Sequence, residues 1–230
     1  MKKIVETSTV TAPRGVGRPR SEATRAQILS ATIRLLEERT VQAITIEAIA
    51  KEAGVGKATI YRWWDSKALV VIDAFAEHHL AQTPMPRDLP PGEAIAAHIA
   101  LLIRRYAGWS GRIVAQIIAE GQADPNVLRE WRERFHYGRR AIVRELLEEW
   151  RRTTPIPTPP NIETLAELLY APLYLRLMLG TGPLDDTFAR EHIGYVYSLL
   201  GVEMPELDEK PRTPKSRGPS RKTARAASTS

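Results

Sequence analysis

Cysteine is absent from the 230 residues, which excludes disulfides, thiolate nucleophiles and cysteine metal sites, and suits a reducing compartment. Long apolar runs are missing as well. The most apolar stretch, Leu165 to Leu179, is too short to span a bilayer and contains Glu167, Pro172 and Arg176. Behind Lys2 and Lys3, the residues Glu6, Thr7, Ser8 and Thr9 stand where a secretory leader needs an apolar core. There is no phosphate-binding glycine loop, no nucleophile elbow and no metal-spaced cluster. His78 and His79 are adjacent, whereas two ligands on one helix face would be four apart. These gaps predict a cytoplasmic protein that is not an enzyme and has no cofactor, no metal and no membrane partner.

What is present is an uneven distribution of charge. The net charge is +6, yet the segment from Lys210 onward holds seven basic residues and no acid, and residues 1–20 carry five basic residues against Glu6. The body between these ends is therefore net acidic. Basic ends neutralise phosphates and add salt-sensitive, sequence-independent affinity for nucleic acid; they also serve plain solubility. Residues 1–20 lack apolar periodicity and are expected to form a flexible basic arm. Arg18 and Arg20 lie just before the first helix, where an arm can enter a minor groove.

From Ser21 to Glu38, Ile28, Leu29, Thr32, Ile33 and Leu36 recur at helical spacing. Thr45 can cap a second helix in which Ile46, Ile49, Ala50 and Ala53 form one stripe. Gly54 permits a left-handed turn, and a third helix begins near Gly56 with Ile60 inward. This is the layout of a helix-turn-helix DNA reader. Gly56 and Ala58 are small enough to bring the backbone close to base edges, while Lys57, Thr59 and Tyr61 offer a charge and hydroxyls to phosphates. Arg62 follows, Trp64 is assigned to the core, Trp63 to the edge of the DNA face, and Lys67 to the far phosphate backbone. A fourth helix, Ser66 to Gln82, places Leu69, Ile72, Ala76 and Leu80 on one face.

The run from Ala53 to Lys67, AGVGKATIYRWWDSK, closely resembles the signature of the TetR family, a helix-turn-helix followed by a helix opening at a serine-lysine pair, here Ser66 and Lys67. The resemblance covers Gly17 to about Leu80 and departs from the family pattern at Gly56, where serine often caps, and at Trp63-Trp64. It implies a dimeric transcription factor, in most relatives a repressor, with an all-helical effector-binding C-terminal domain. It also implies phosphate contacts at Thr45, Lys57, Tyr61 and Lys67, with base reading by Gly56 to Thr59.

Prolines from Pro84 to Pro91 break the chain, and a second helical unit is expected beyond them. Its helices are predicted over Gly92 to Ala107, Ser110 to Ala119, a long span opened by Asp124-Pro125 with Leu128, Trp131, Phe135, Ile142, Leu146 and Trp150 on one side, Asn161 to about Leu179, and a last one from Asp185 or Asp186. The segments around EGQADPNVLREWRERF and PLYLRLMLGTGPLDDTF look like one TetR C-terminal subtype, in which the last two helices pair with their twins in a dimer; an intramolecular core gives the same periodicity. A pocket for a small, apolar effector is expected among Ile103, Tyr106, Trp109, Ile113, Gln116, Ile117, Trp131, Phe135, Tyr170, Tyr174 and Met178, all of which suit plain core as well. His98, His136 and His192 are candidate polar anchors.

The expected architecture is all-α, with about nine helices: a three-helix helix-turn-helix head and a helical-bundle C-terminal domain. Its divisions are a basic arm at 1–20, a DNA-binding domain at 21–82, an effector-binding and dimerisation domain at 92–202, and a disordered basic tail at 203–230. The predicted partners are double-stranded DNA, a small-molecule effector and a second copy of the chain through the last two helices. The competing reading is a ligand-independent architectural DNA-binding protein.

Overall fold

The computed structural model describes residues 21–156 and 160–207, all of them helix or connection, with no strand among them. Arg18, Arg20 and the basic segment from Lys210 lie outside the described residues. The first helix, α1 (Glu22–Glu38), buries Ile28, Leu29, Thr32 and Leu36 and receives α2 (Ile46–Ala53) and α4 (Lys67–Gln82) on that face. Between them sits α3 (Lys57–Tyr61), only five residues long. So short a helix has too few internal hydrogen bonds to persist alone. Ile60, wholly buried, and Trp64, 2% exposed, hold it down.

On α4 the buried face is Val70, Val71, Ala74, Phe75 and His79 together with Ile72 and Ala76, and Leu80 points outward at 42% exposure. The expected stripe through Leu80 is therefore corrected: α4 is enclosed on two sides, by α1 and by the second unit, and the apolar arc is wider than one stripe.

The second unit comprises α5 (Pro91–Tyr106), α6 (Trp109–Ala123), α7 (Pro125–Trp131), a π-helical turn (Arg132–His136), α8 (Tyr137–Thr153), α9 (Ile162–Leu179) and α10 (Asp186–Leu200). Its caps follow the sequence. Asp124 accepts from Asn126 N at 2.9 Å, Asn161 from Glu163 N at 2.8 Å, and Asp185 from Phe188 N at 2.8 Å. Helix α6 runs one turn past the expected Ala119, and in that turn Gly121 leaves room for Leu128 Cβ of α7, 3.0 Å from where a Cβ would stand.

The span from α7 to α8 is continuous, as expected, but the π-helical turn shifts its later residues around the axis. Val143 rather than Ile142 joins Leu146, Leu147 and Trp150 in the core. After α10, Met204 and Leu207 pack back on the core, so the expected tail does not begin at 203.

Candidate nucleic-acid interface and ligand cavity

Local chemistry sets the turn between α2 and α3. Thr45 Oγ1 accepts from Ala48 N at 3.1 Å, and its hydroxyl also bonds the Glu47 carboxyl. Gly54 takes φ +65°, and Val55 N reaches back to Ala50 O at 3.0 Å, which closes α2. Gly56 stands at the N-cap of α3 without a side-chain acceptor, and its carbonyl receives Thr59 N at 2.9 Å. Lys57, Ala58, Tyr61 and Arg62 are exposed on one side of this turn; Thr59, Trp63 and Lys67 are partly exposed beside them. The predicted DNA-facing residues from Thr45 to Lys67 are thus all exposed or partly exposed, from the N-cap of α2 through α3 to the start of α4.

Two lysines already have partners there. Lys57 Nζ pairs with Glu47 Oε1 at 3.0 Å, and this bond draws the Glu47 carboxyl below its usual range and lifts the Lys57 ammonium above its own. Both groups are solvent-exposed, so a phosphate can take the lysine at small expense. Lys67 Nζ donates to Val41 O at 2.9 Å and ties the α1–α2 connection to the start of α4, where Ser66 Oγ accepts from Leu69 N at 3.3 Å.

The head is bonded to the second unit at the middle and at the C-terminal end of α4. Asp73, on α4, accepts Trp64 Nε1 at 2.7 Å and Arg134 Nη1 at 2.9 and 3.1 Å, joining the residue behind α3 to the π-helical turn. At the far end Thr83, the C-cap of α4, presents its carbonyl to Arg139 Nη2 at 2.9 Å. A third tie runs from Gln116 Oε1 to Val41 N at 2.8 Å, and Arg112 Nη2 covers the last carbonyls of α1 at Leu36 and Glu37.

Between α4, α5, the π-helical turn, α8 and α9 lies a cavity of about 50 Å³. Its walls come from His79 of α4, His98, Leu102 and Tyr106 of α5, Phe135 and His136 of the turn, Arg139, Arg140 and Val143 of α8, and Ala166, Tyr170 and Tyr174 of α9. Burial depresses His79 and His98 to about 3, helped by the nearby Arg139 charge, so both imidazoles are neutral near pH 7. Burial likewise pushes the Tyr106, Tyr170 and Tyr174 hydroxyls up. Tyr170 Oη lies 3.1 Å from His98 Nε2.

Of the predicted pocket residues, Tyr106, Phe135, Tyr170 and Tyr174 meet in this cavity. Trp131 packs behind Phe135 with ring centroids 4.4 Å apart, and Ile103, Ile113 and Ile117 belong to the surrounding core. Trp109 packs on His78 at 5.3 Å, Gln116 is spent on Val41, and Met178 is 38% exposed. His98 and His136 line the cavity, whereas His192 is bonded to Leu169 O at 3.0 Å. His79 and Arg139 were not anticipated as lining. The available signal was spacing: Arg139 lies four residues after Phe135, hence on the same face. Among the described residues no group of three or more histidines or acids can hold a metal ion, and no helix is long and apolar enough to cross a membrane.

Residues 28–73 match the sequence model of bacterial regulatory proteins, tetR family, and residues 93–196 match that of a tetracyclin repressor-like C-terminal domain. The HTH-type transcriptional regulator YdeS of Bacillus subtilis strain 168 is 34% identical over 193 residues, covering 84% of this chain and 96% of that one. The crystal structure of the TetR family transcription regulator SCO0332 superposes with a TM-score of 0.68 at 26% identity, over 79% of this chain and 99% of that one. The transcriptional regulator FadR from Bacillus subtilis, in complex with stearoyl-CoA, shares the fold with a TM-score of 0.61 at 18% identity, over 75% of this chain and 97% of that one.

Proposed function

This chain belongs to the TetR family of DNA-binding transcriptional regulators, and from that premise we propose that it is a dimeric repressor which a small molecule releases from a palindromic operator. The observation that carries the reading is the placement of α4. Its first half holds the DNA-reading end through Lys67 and the Asp73–Trp64 bond, and its last turn puts His79 into the cavity wall. A ligand that binds better to one position of α4 than to another shifts the heads between two arrangements on DNA. The FadR complex with stearoyl-CoA supports ligand response on this fold.

In this reading Gly56 to Thr59 meet base edges, and Thr45, Lys57, Tyr61, Arg62, Trp63 and Lys67 contact or flank phosphates, with Arg18 and Arg20 in the adjacent minor groove. One five-residue helix gives a small footprint, and a twofold dimer doubles it. Support for the dimer comes from α9 and α10, where Leu168, Leu175, Met178, Leu179, Tyr195 and Leu199 are large apolar side chains left exposed. The domain division follows: residues 21–82 read DNA, and 92–202 bind ligand and pair the copies, in the cytoplasm.

Selection of bound DNA from a random pool tests this. The expected product is a palindrome preferred over random sequence by ~10³-fold or more. Recovery of no preferred sequence returns the protein to the architectural class, and operator binding that no small molecule weakens removes the effector.

A further inference from the structure

Arg139 carries a positive charge into the cavity that no acid among the described residues neutralises. Its Nη2 donates to Thr83 O at 2.9 Å and Thr83 Oγ1 at 3.2 Å, and lies 3.4 and 3.5 Å from the two ring nitrogens of His98. Nε and Nη1 make no hydrogen bond to any described residue, yet neither is sealed from solvent-sized space. The next residue is a control. Arg140, at the same rim, is paired with Glu163 and Glu167.

The groups facing Arg139 cannot balance it. His79 and His98 are neutral, and the tyrosines stay protonated because burial raises them. A half-buried cation without a counter-ion is costly, and burial already pulls the Arg139 guanidinium below its usual range. Satisfying the Thr83 carbonyl does not need a guanidinium, since a neutral amide also donates to a carbonyl. What a guanidinium adds is a fixed charge and, with Nη2 given to Thr83, two further donors, Nε and Nη1, each of which can bond an oxygen of an anion.

We propose that this cavity takes a small monocarboxylate, whose charge meets Arg139 through Nε or Nη1 and whose apolar part lies against Leu102, Phe135 and Val143. The inference rests on the ligand-responsive reading above and supplies the chemical class. A phosphate fits less well: its second charge has only one uncommitted cation to meet, because Arg140 is held by two glutamates. Since the same guanidinium grips the end of α4, the arriving carboxylate acts directly on that helix.

Calorimetric titration of the full-length protein with acetate, propanoate and butanoate, each beside its primary amide, provides the test, with Arg139→Gln and Arg139→Lys as variants. At least one carboxylate is expected to bind the wild type about tenfold or more tighter than its amide. Arg139→Gln is expected to erase that preference, and Arg139→Lys, which keeps the charge but offers a single donor group, to retain part of it. The proposal is overturned if none of the three acids binds, if an amide binds as well as its acid, or if Arg139→Gln keeps the preference. It is also overturned if butanoyl-coenzyme A binds through Arg139 where the free acids do not. Should Arg139→Gln fail to fold by circular dichroism, the acid–amide comparison on the wild type and Arg139→Lys decides. Operator release is read separately. Acid binding without release keeps the ligand class and removes derepression, whereas release by a neutral compound alone does the reverse.

Discussion

Trp64 Nε1 donates to Asp73 Oδ2 across 2.7 Å, and the same carboxylate receives Arg134 from the π-helical turn that carries Phe135 into the cavity wall. One partly buried acid therefore connects the residue behind α3, α4 and the π-helical turn. Asp73→Ala leaves the indole N–H and Arg134 Nη1 without their acceptor, while Arg134 Nε keeps Glu130, and the expected loss in unfolding free energy is about 1–3 kcal/mol by urea denaturation. Trp64→Phe in that background should add less than it does alone, because the bond it deletes is already gone. Additive losses in this double-mutant cycle would show that the indole and Asp73 are not coupled.

Lys57 is expected to act on DNA as a point charge. Lys57→Ala should weaken binding to operator and random DNA alike and reduce the slope of log affinity against log salt by about 1. Glu47→Gln, which frees Lys57 from its 3.0 Å partner, should instead raise affinity slightly at low salt. Electrophoretic shifts at several salt concentrations distinguish the two. If Lys57→Ala leaves the slope unchanged, α3 does not present this side to the phosphates.

Much of this fold was legible in the sequence because local chemistry and burial agree. Thr45, Asn161 and Asp185 cap where their residue type and the following apolar pattern place them, and Gly54 turns because it alone accepts φ +65° cheaply. Ile60 and Trp64 are core for the same reason. What periodicity missed is where the period itself changes. The π-helical turn at Arg132–His136 moves the seam from Ile142 to Val143, and no residue in that turn announces it. Arg139 was missed because a charged residue on a helix is read as solvated, and only tertiary packing of α4, α5 and α9 around it closes the cavity.

Stability is expected to fall as pH drops below neutrality. His79 and His98 titrate near 6.5 when unfolded and at about 3 when folded, so the unfolded chain binds more protons between those values. Stability contributed by keeping them neutral is whole above pH 6.5 and is lost progressively down to about 3. Each imidazole can contribute a slope of up to ~1.4 kcal/mol per pH unit within that window. Urea denaturation from pH 7 to 4 should show the decline, and His98→Asn should flatten it. An equal slope in His98→Asn means that other groups set the acid sensitivity.

The exposed apolar side chains of α9 and α10 yield the sharpest prediction about assembly. Leu175 and Leu199 are 54% and 74% exposed in a single copy, so a charge at either position meets water there and should not disturb folding. In a face-to-face pairing of two such helix pairs, the same charge is buried twice, once from each copy, and is opposed by its own symmetry mate. Leu199→Glu with Leu175→Glu is thus expected to leave the circular dichroism spectrum intact and shift sedimentation from dimer to monomer. Binding to a palindromic operator should then become weak and non-cooperative, since each copy holds a single half-site. A variant that remains dimeric places the pairing surface elsewhere on the protein.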